Sequence, residues 1–181
     1  MTDNEIYPLE NIWVCSCRNA NLKDNPKDWI ASFRYISNFD SIQTFWSIFN
    51  NLPELTTAKI GITYSFFKQI NDYTITPSWE DKYNKSGSSF NLYLNSGKLS
   101  PDIIQYYYLN ILLLLIGSTL VSESINGCTF DKKYSNYKLS IWFNIDITDS
   151  QMILSELKNY FPTEDKQIEG IAVSIDKHQT K

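Results

Sequence analysis

At 181 residues, with 43% hydrophobic and 15% aromatic content, the chain can fill one sizeable core and is too short for two ordinary domains. A formal charge of -4 offers no basic field to exchange for the counterions condensed on a duplex. That excludes non-specific double-strand binding and leaves room only for a small, local nucleic-acid contact.

In chain order, the opening Met1-Thr2-Asp3-Asn4-Glu5 lacks the basic and apolar run of a signal peptide. Residues 1–6 and 177–181 are expected to be flexible ends of a single domain covering 1–181. Strands are expected at 12–17 and 30–39, separated by the polar loop Asn25-Pro26-Lys27-Asp28-Trp29. Asp40 with Gln43 has capping-box spacing, and Ile42, Phe45, Trp46 and Phe49 then recur at i, i+3, i+4 and i+7, which predicts an amphipathic helix. From that period alone Trp46 reads as core. A strand is expected at 61–68. Residues 69–90 carry no helical or alternating period, so Pro77-Ser78-Trp79-Glu80-Asp81-Lys82 reads as a loop that exposes a large aromatic beside two carboxylates.

A short strand is expected at 90–94. Ser100 as N-cap, Pro101 at the first helical position and Gly117 past the end then predict a long buried helix. Its apolar stretch 111–116 is too short, and its surroundings too polar, for a membrane span. Residues 128–133 and 138–145, separated by Tyr134-Ser135-Asn136-Tyr137, predict an antiparallel hairpin. Alternation there leaves Trp142 as readily in the core as on the opposite face. Thr148 with Gln151 repeats the capping spacing before Ile153, Leu154, Leu157, Tyr160 and Phe161, with Pro162 as the stop, and a last strand is expected at 170–176. Paired strands interrupted by three helices predict an α+β domain with helices on one face of an antiparallel sheet.

Catalysis finds little support. The single histidine, His178, lies three residues from the end, and no phosphate loop, metal cluster or dinucleotide fingerprint is present. The odd-numbered Cys15, Cys17 and Cys128 lack ligand spacing and read as reduced structural thiols. No enzyme, metal or cofactor is expected.

These segments resemble the cap-binding translation initiation factor 4E family. The likeness runs from Tyr7-Pro8-Leu9-Glu10-Asn11-Ile12-Trp13 through Phe39-Asp40-Ser41-Ile42-Gln43-Thr44-Phe45-Trp46, Tyr64-Ser65-Phe66-Phe67-Lys68 and Trp79-Glu80-Asp81 to Leu115-Ile116-Gly117 and Lys138-Leu139-Ser140-Ile141-Trp142. The resemblance implies a curved antiparallel sheet of seven to eight strands, backed on its convex face by three helices. It also implies a cytoplasmic, and also nuclear, monomer that holds the 7-methylguanosine cap of mRNA on the concave side.

Trp29 and Trp79 would sandwich the base, with Trp142 beside the N7-methyl group. Methylation at N7 makes guanine cationic, which suits the negative faces of indoles. Glu80 would pair with the N1–H and exocyclic amino donors of the guanine edge, a pair that adenine lacks. Lys133 and Lys138 fall at phosphate-contacting positions, the first more usually Arg. Ser89 stands where the family usually has Arg, a loss that Lys82 or Lys85 could offset.

On the helical side the resemblance reverses the reading of Trp46. With Tyr7, Pro8, Ile42, Leu109, Leu113 and Gly117 it would form an exposed groove for a partner's short helix. Such partners are a 4G-like scaffold or the inhibitors that imitate it. Asn110 replaces a usual acidic anchor and Tyr7 a frequent His. A cap-binding repressor with a different partner is therefore the alternative to an initiation factor.

Overall fold

The computed structural model describes residues 5–22, 29–120, 122–161 and 168–178. Strand alternation sets its architecture. Eight strands, β1 (Pro8–Asn19), β2 (Arg34–Ser41), β3 (Ile62–Ile70), β4 (Tyr73–Thr74), β5 (Ser88–Asn95), β6 (Ile125–Lys132), β7 (Asn136–Phe143) and β8 (Ile171–Lys177), form one antiparallel sheet. Their order is β2-β1-β3-β6-β7-β5-β8, with β4 paired to β3. The expected hairpin is the β6–β7 pair.

Across this sheet, cross-strand partners share a face. One row reads Ser16, Ser65, Thr129, Ser140, Asn91 and Ser174 on six neighbouring strands. The adjacent row reads Cys15, Phe66, Cys128, Ile141, Phe90 and Ile175. A period of two therefore separates a small, polar face from an apolar one. Register shifts between Cys15 and Ser16 in β1 and between Ile125 and Gly127 in β6 add local bends, leaving the polar face concave.

Three helices cover the apolar face: α1 (Ile42–Phe49), α2 (Pro101–Ile116) and α3 (Gln151–Tyr160). Phe45 of α1, Ile104, Tyr108, Ile111, Leu112 and Leu115 of α2, and Ile153 and Leu157 of α3 join Phe66, Phe130 and Leu139 in the main core. Burying each such side chain contributes roughly 1.5 to 3 kcal/mol. This is the expected α+β arrangement. Cys15 and Cys128 are free thiols in this core, and burial pushes both well above the usual thiol range.

Several local expectations differ. Residues 30–32 form a 3-10 turn, and the strand predicted at 30–39 begins only at Arg34. The cap of α1 is Ser41, whose hydroxyl accepts from the Thr44 amide at 3.4 Å, while Asp40 lies one residue earlier in β2 and is exposed. Gln43 instead reaches back to the Glu5 carbonyl at 2.6 Å and the Tyr7 amide at 3.1 Å, tying the N-terminal segment to α1. Thr148 does not cap α3, since its hydroxyl and amide both donate to Asp146. The predicted stop, Pro162, lies outside the described residues. Helix α2 keeps its expected Ser100 cap, but only one side packs on the sheet, so Ile103, Tyr106 and Leu113 face outward. Of the expected flexible ends, residues 1–4 and 179–181 are not described. Lys177 closes β8, and His178 is buried beyond it. No helix among the described residues is long and apolar enough to cross a membrane.

Candidate nucleotide site and helical groove

The concave face opens into a cavity of about 650 Å³ lined by Trp29, Pro77, Trp79, Glu80, Trp142, Ser89, Thr129, Ser140, Asp131, Lys133 and Lys138, among others. That volume lies within the range of ordinary small-ligand pockets. All six residues expected to hold a ligand on this side are brought together here.

Trp79 sits on the loop after β4 and is 46% exposed, while Trp29, just before the 3-10 turn, is 41% exposed. The Trp29 indole N–H donates to the Pro77 carbonyl at 2.8 Å, so one tryptophan is pinned to the loop that carries the other. Each wall is also backed by a side chain that does not line the cavity. The Arg18 guanidinium lies 4.3 Å from the Trp29 ring centre, with Nε donating to Ser32 at 2.7 Å. His178 stacks on Trp79 at 6.3 Å and 17°, and its ring is 4.8 Å from Trp142.

His178 folds back because its amide donates to the Gly87 carbonyl at 3.0 Å and its Nδ1 meets the Asn84 carbonyl at 2.7 Å. A carbonyl can only accept, so Nδ1 carries the proton. Burial is the largest influence on the imidazole and lowers its pKa below 6.5, while the Asn84 carbonyl and Asp176 pull the other way.

The Trp79 loop is stiffened from within. Asp81, nearly fully buried, accepts from the Tyr73 hydroxyl at 2.9 Å, the Thr76 amide and hydroxyl at 2.8 Å each, and the Tyr83 amide at 2.9 Å. Asn84 donates to the carbonyls of Thr76 and Ser78 and accepts from Asn126. Neighbouring carboxylates therefore have different surroundings: Asp81 turns inward, while Glu80 lines the cavity and accepts from the Ser78 hydroxyl.

Trp142 resolves the ambiguity of its strand by facing the concave side. There it packs with Phe67 and Ile75 and donates to the Thr129 hydroxyl at 3.3 Å. Lys138 lies four residues away on the same face of β7, roughly 13 Å along the strand at about 3.3 Å per residue. An aromatic end and a cationic end are thus about one nucleotide apart. Ser89 is buried on β5 between Trp142 and Asp176. Lys82 does not offset it: its ammonium lies over the Tyr73 and Tyr83 rings at 4.0 and 5.0 Å, and neither Lys82 nor Lys85 lines the cavity.

Sequence reading missed Arg18, Asp131 and His178, and it took Asp81 for a loop carboxylate like Glu80, whereas Asp81 is buried. Asp131 shares strand parity with Lys133, which was a usable signal, whereas Arg18 and His178 reach the site only through tertiary contacts.

On the helical side, the Tyr7 carbonyl accepts from the Ile42 amide at 2.9 Å and Pro8 pairs with Ser41, which sets Tyr7 and Pro8 at the start of α1. Tyr7, Pro8, Ile42, Leu113 and Gly117 are exposed, and Leu109 and Asn110 half-buried. Trp46 is half-buried rather than largely exposed, because its ring packs edge-on against Phe45 and Phe49 at 5.0 and 5.8 Å. Phe49 in turn meets Tyr108 of α2 at 5.5 Å, joining the two helices. Asn110 directs its amide at the Tyr106 carbonyl at 2.8 Å.

Among known proteins, the chain is 33% identical over 137 residues to eukaryotic translation initiation factor 4E1 of Drosophila melanogaster, covering 75% of this chain and 49% of that protein. It is 31% identical over 138 residues to the Homo sapiens factor 4E, covering 75% and 60%. The chain thus spans about half to three-fifths of the length of these curated relatives. In fold it is similar to C. elegans eIF4E-3 in complex with the 4E-binding protein Mextli, with TM-score 0.81, 24% identity and coverage of 97% and 95% of the two chains. Ascaris suum eIF4E-3 in complex with m7G cap gives TM-score 0.78 at 22% identity, covering 98% and 94%. The family model described as eukaryotic initiation factor 4E matches residues 8–181. With that span matched, the chain belongs to the eukaryotic initiation factor 4E family.

Proposed function

We propose that the chain binds the 7-methylguanosine 5′ cap of mRNA and, through its helical side, recruits a 4G-like scaffold for translation initiation. The observation that carries this reading is the placement of two exposed tryptophans, Trp29 and Trp79, around one cavity with the Glu80 carboxylate. The methylated, cationic base stacks between the indoles, each contact contributing roughly 1 to 3 kcal/mol. Glu80 accepts from the guanine edge, Trp142 floors the slot beside the methyl group, and Lys133 and Lys138 meet the phosphates. The work is binding rather than bond-making, in the cytoplasm and nucleus, by a monomer.

Relatives of similar fold support both halves of the reading, one solved with m7G cap and another with a 4E-binding protein. A cap-binding repressor is the second reading. It is favoured by Asn110, whose amide is engaged on its own helix where an acidic anchor would face a partner.

The test is Trp79→Ala, expected to cost about 2 kcal/mol of affinity for 7-methyl-GTP, roughly thirtyfold. An unchanged dissociation constant rules out the sandwich.

A further inference from the structure

The cationic end of the cavity holds a carboxylate that phosphate binding does not call for. Asp131 of β6 lines the cavity and is only 8% exposed. It stands directly across from Thr63 on β3 and from Lys138 on β7. The Thr63 hydroxyl donates to its Oδ1 at 2.6 Å, and the same oxygen lies 3.8 Å from the Lys133 ammonium. The carboxylate is therefore fixed beside the Lys133 ammonium rather than free to swing away. A second carboxylate, Asp176, lies 3.9 Å from the Lys138 ammonium and accepts from Asn91 Nδ2 at 3.0 Å.

Among the described residues, the two lysines at this end are thus matched by two aspartates, and Ser89 adds no charge. Each added phosphate meets attraction from two lysines and repulsion from two aspartates, so the end offers it no net positive charge. Because Asp131 is buried, salt screens its repulsion less than it would an exposed charge.

Resting on the cap-binding reading, we propose that Asp131 is a specificity-determining residue. Together with Asp176 it offsets the lysine pair, so that recognition depends on the methylated base and gains little from the length of the phosphate chain.

The experiment titrates the full chain with 7-methyl-GMP and 7-methyl-GTP at low and high salt, for wild type and Asp131→Asn. The variant keeps an acceptor oxygen for the Thr63 hydroxyl while removing the charge. Wild type should prefer the triphosphate by less than about tenfold, with a shallow salt dependence. Asp131→Asn should widen that preference by roughly fivefold to tenfold and steepen the salt dependence.

A wild-type preference above about a hundredfold, or a variant that leaves the preference unchanged, overturns the proposal. If the variant fails to fold, the wild-type preference decides alone. If neither methylated nucleotide binds wild type, the cap reading itself falls and takes this proposal with it. That outcome is distinct from binding that is tight but insensitive to Asp131.

Discussion

Adjacent residues in the Trp79 loop have opposite jobs, and their variants should separate them. Asp81 holds four donors in a buried turn, so Asp81→Asn turns an amide toward groups that themselves donate. A loss of about 2 kcal/mol of folding stability is expected. Glu80→Gln, on the cavity wall, should leave the denaturation midpoint in place and weaken preference for guanine. Equal destabilisation by both changes, measured by urea titration, contradicts this division. His178 adds a pH signature. Burial lowers its folded-state pKa below 6.5, so the unfolded chain takes up the proton first. The resulting stabilisation is full above 6.5 and is lost as pH falls through the lowered folded value. Unfolding midpoints should therefore drop as pH falls below 6.5, and His178→Gln should flatten that part of the profile. Identical profiles would mean that the imidazole does not titrate differently on folding.

At the level of elements, the segment joining the Trp79 loop to β5 leaves no room for a side chain. A Cβ at Gly87 would lie 1.8 Å from the Phe143 carbonyl oxygen, a backbone atom that cannot rotate away. Gly87→Ala should destabilise by about 2 to 3 kcal/mol and loosen the neighbouring His178 amide contact. A thermal midpoint equal to wild type contradicts the close approach. Elements with a clean period were legible before any coordinates: α2 starts at its Ser100 cap, and the hairpin forms where expected, although Asn136 and Tyr137 of its expected turn already belong to β7. Trp29 and Trp79 were legible for the opposite reason, standing where no period could bury them. The cap of α1 was misread because Asp40 and Ser41 are both good N-caps, and it is the Ser41 hydroxyl that accepts from the Thr44 amide. The backing of the clamp was not legible. Arg18 reaches Trp29 from β1, and His178 reaches Trp79 from the far side of β8, so both contacts depend on register between strands distant in sequence.

At the scale of the molecule, one sheet keeps two surfaces apart. Small polar residues on its concave side make room for the cavity, and aromatic and aliphatic residues on the other side seat the helices. A change on the helical side should therefore leave the cavity alone. Trp46→Ala is expected to leave 7-methyl-GTP affinity within about twofold and to reduce capture of a peptide carrying a short helical scaffold motif. Because Trp46 is half-buried against Phe45 and Phe49, the variant should also lose some stability, about 1 to 2 kcal/mol. Parallel loss of cap affinity would show that the two faces are coupled through the core.

The central claim is that the cavity recognises a charged, methylated guanine between Trp29 and Trp79, and tryptophan fluorescence during titration with 7-methyl-GTP and GTP at one salt concentration tests it most directly. Saturable quenching by the methylated nucleotide, far tighter than by GTP, is the predicted result. Equal affinity for the two, or no quenching by either, would contradict it.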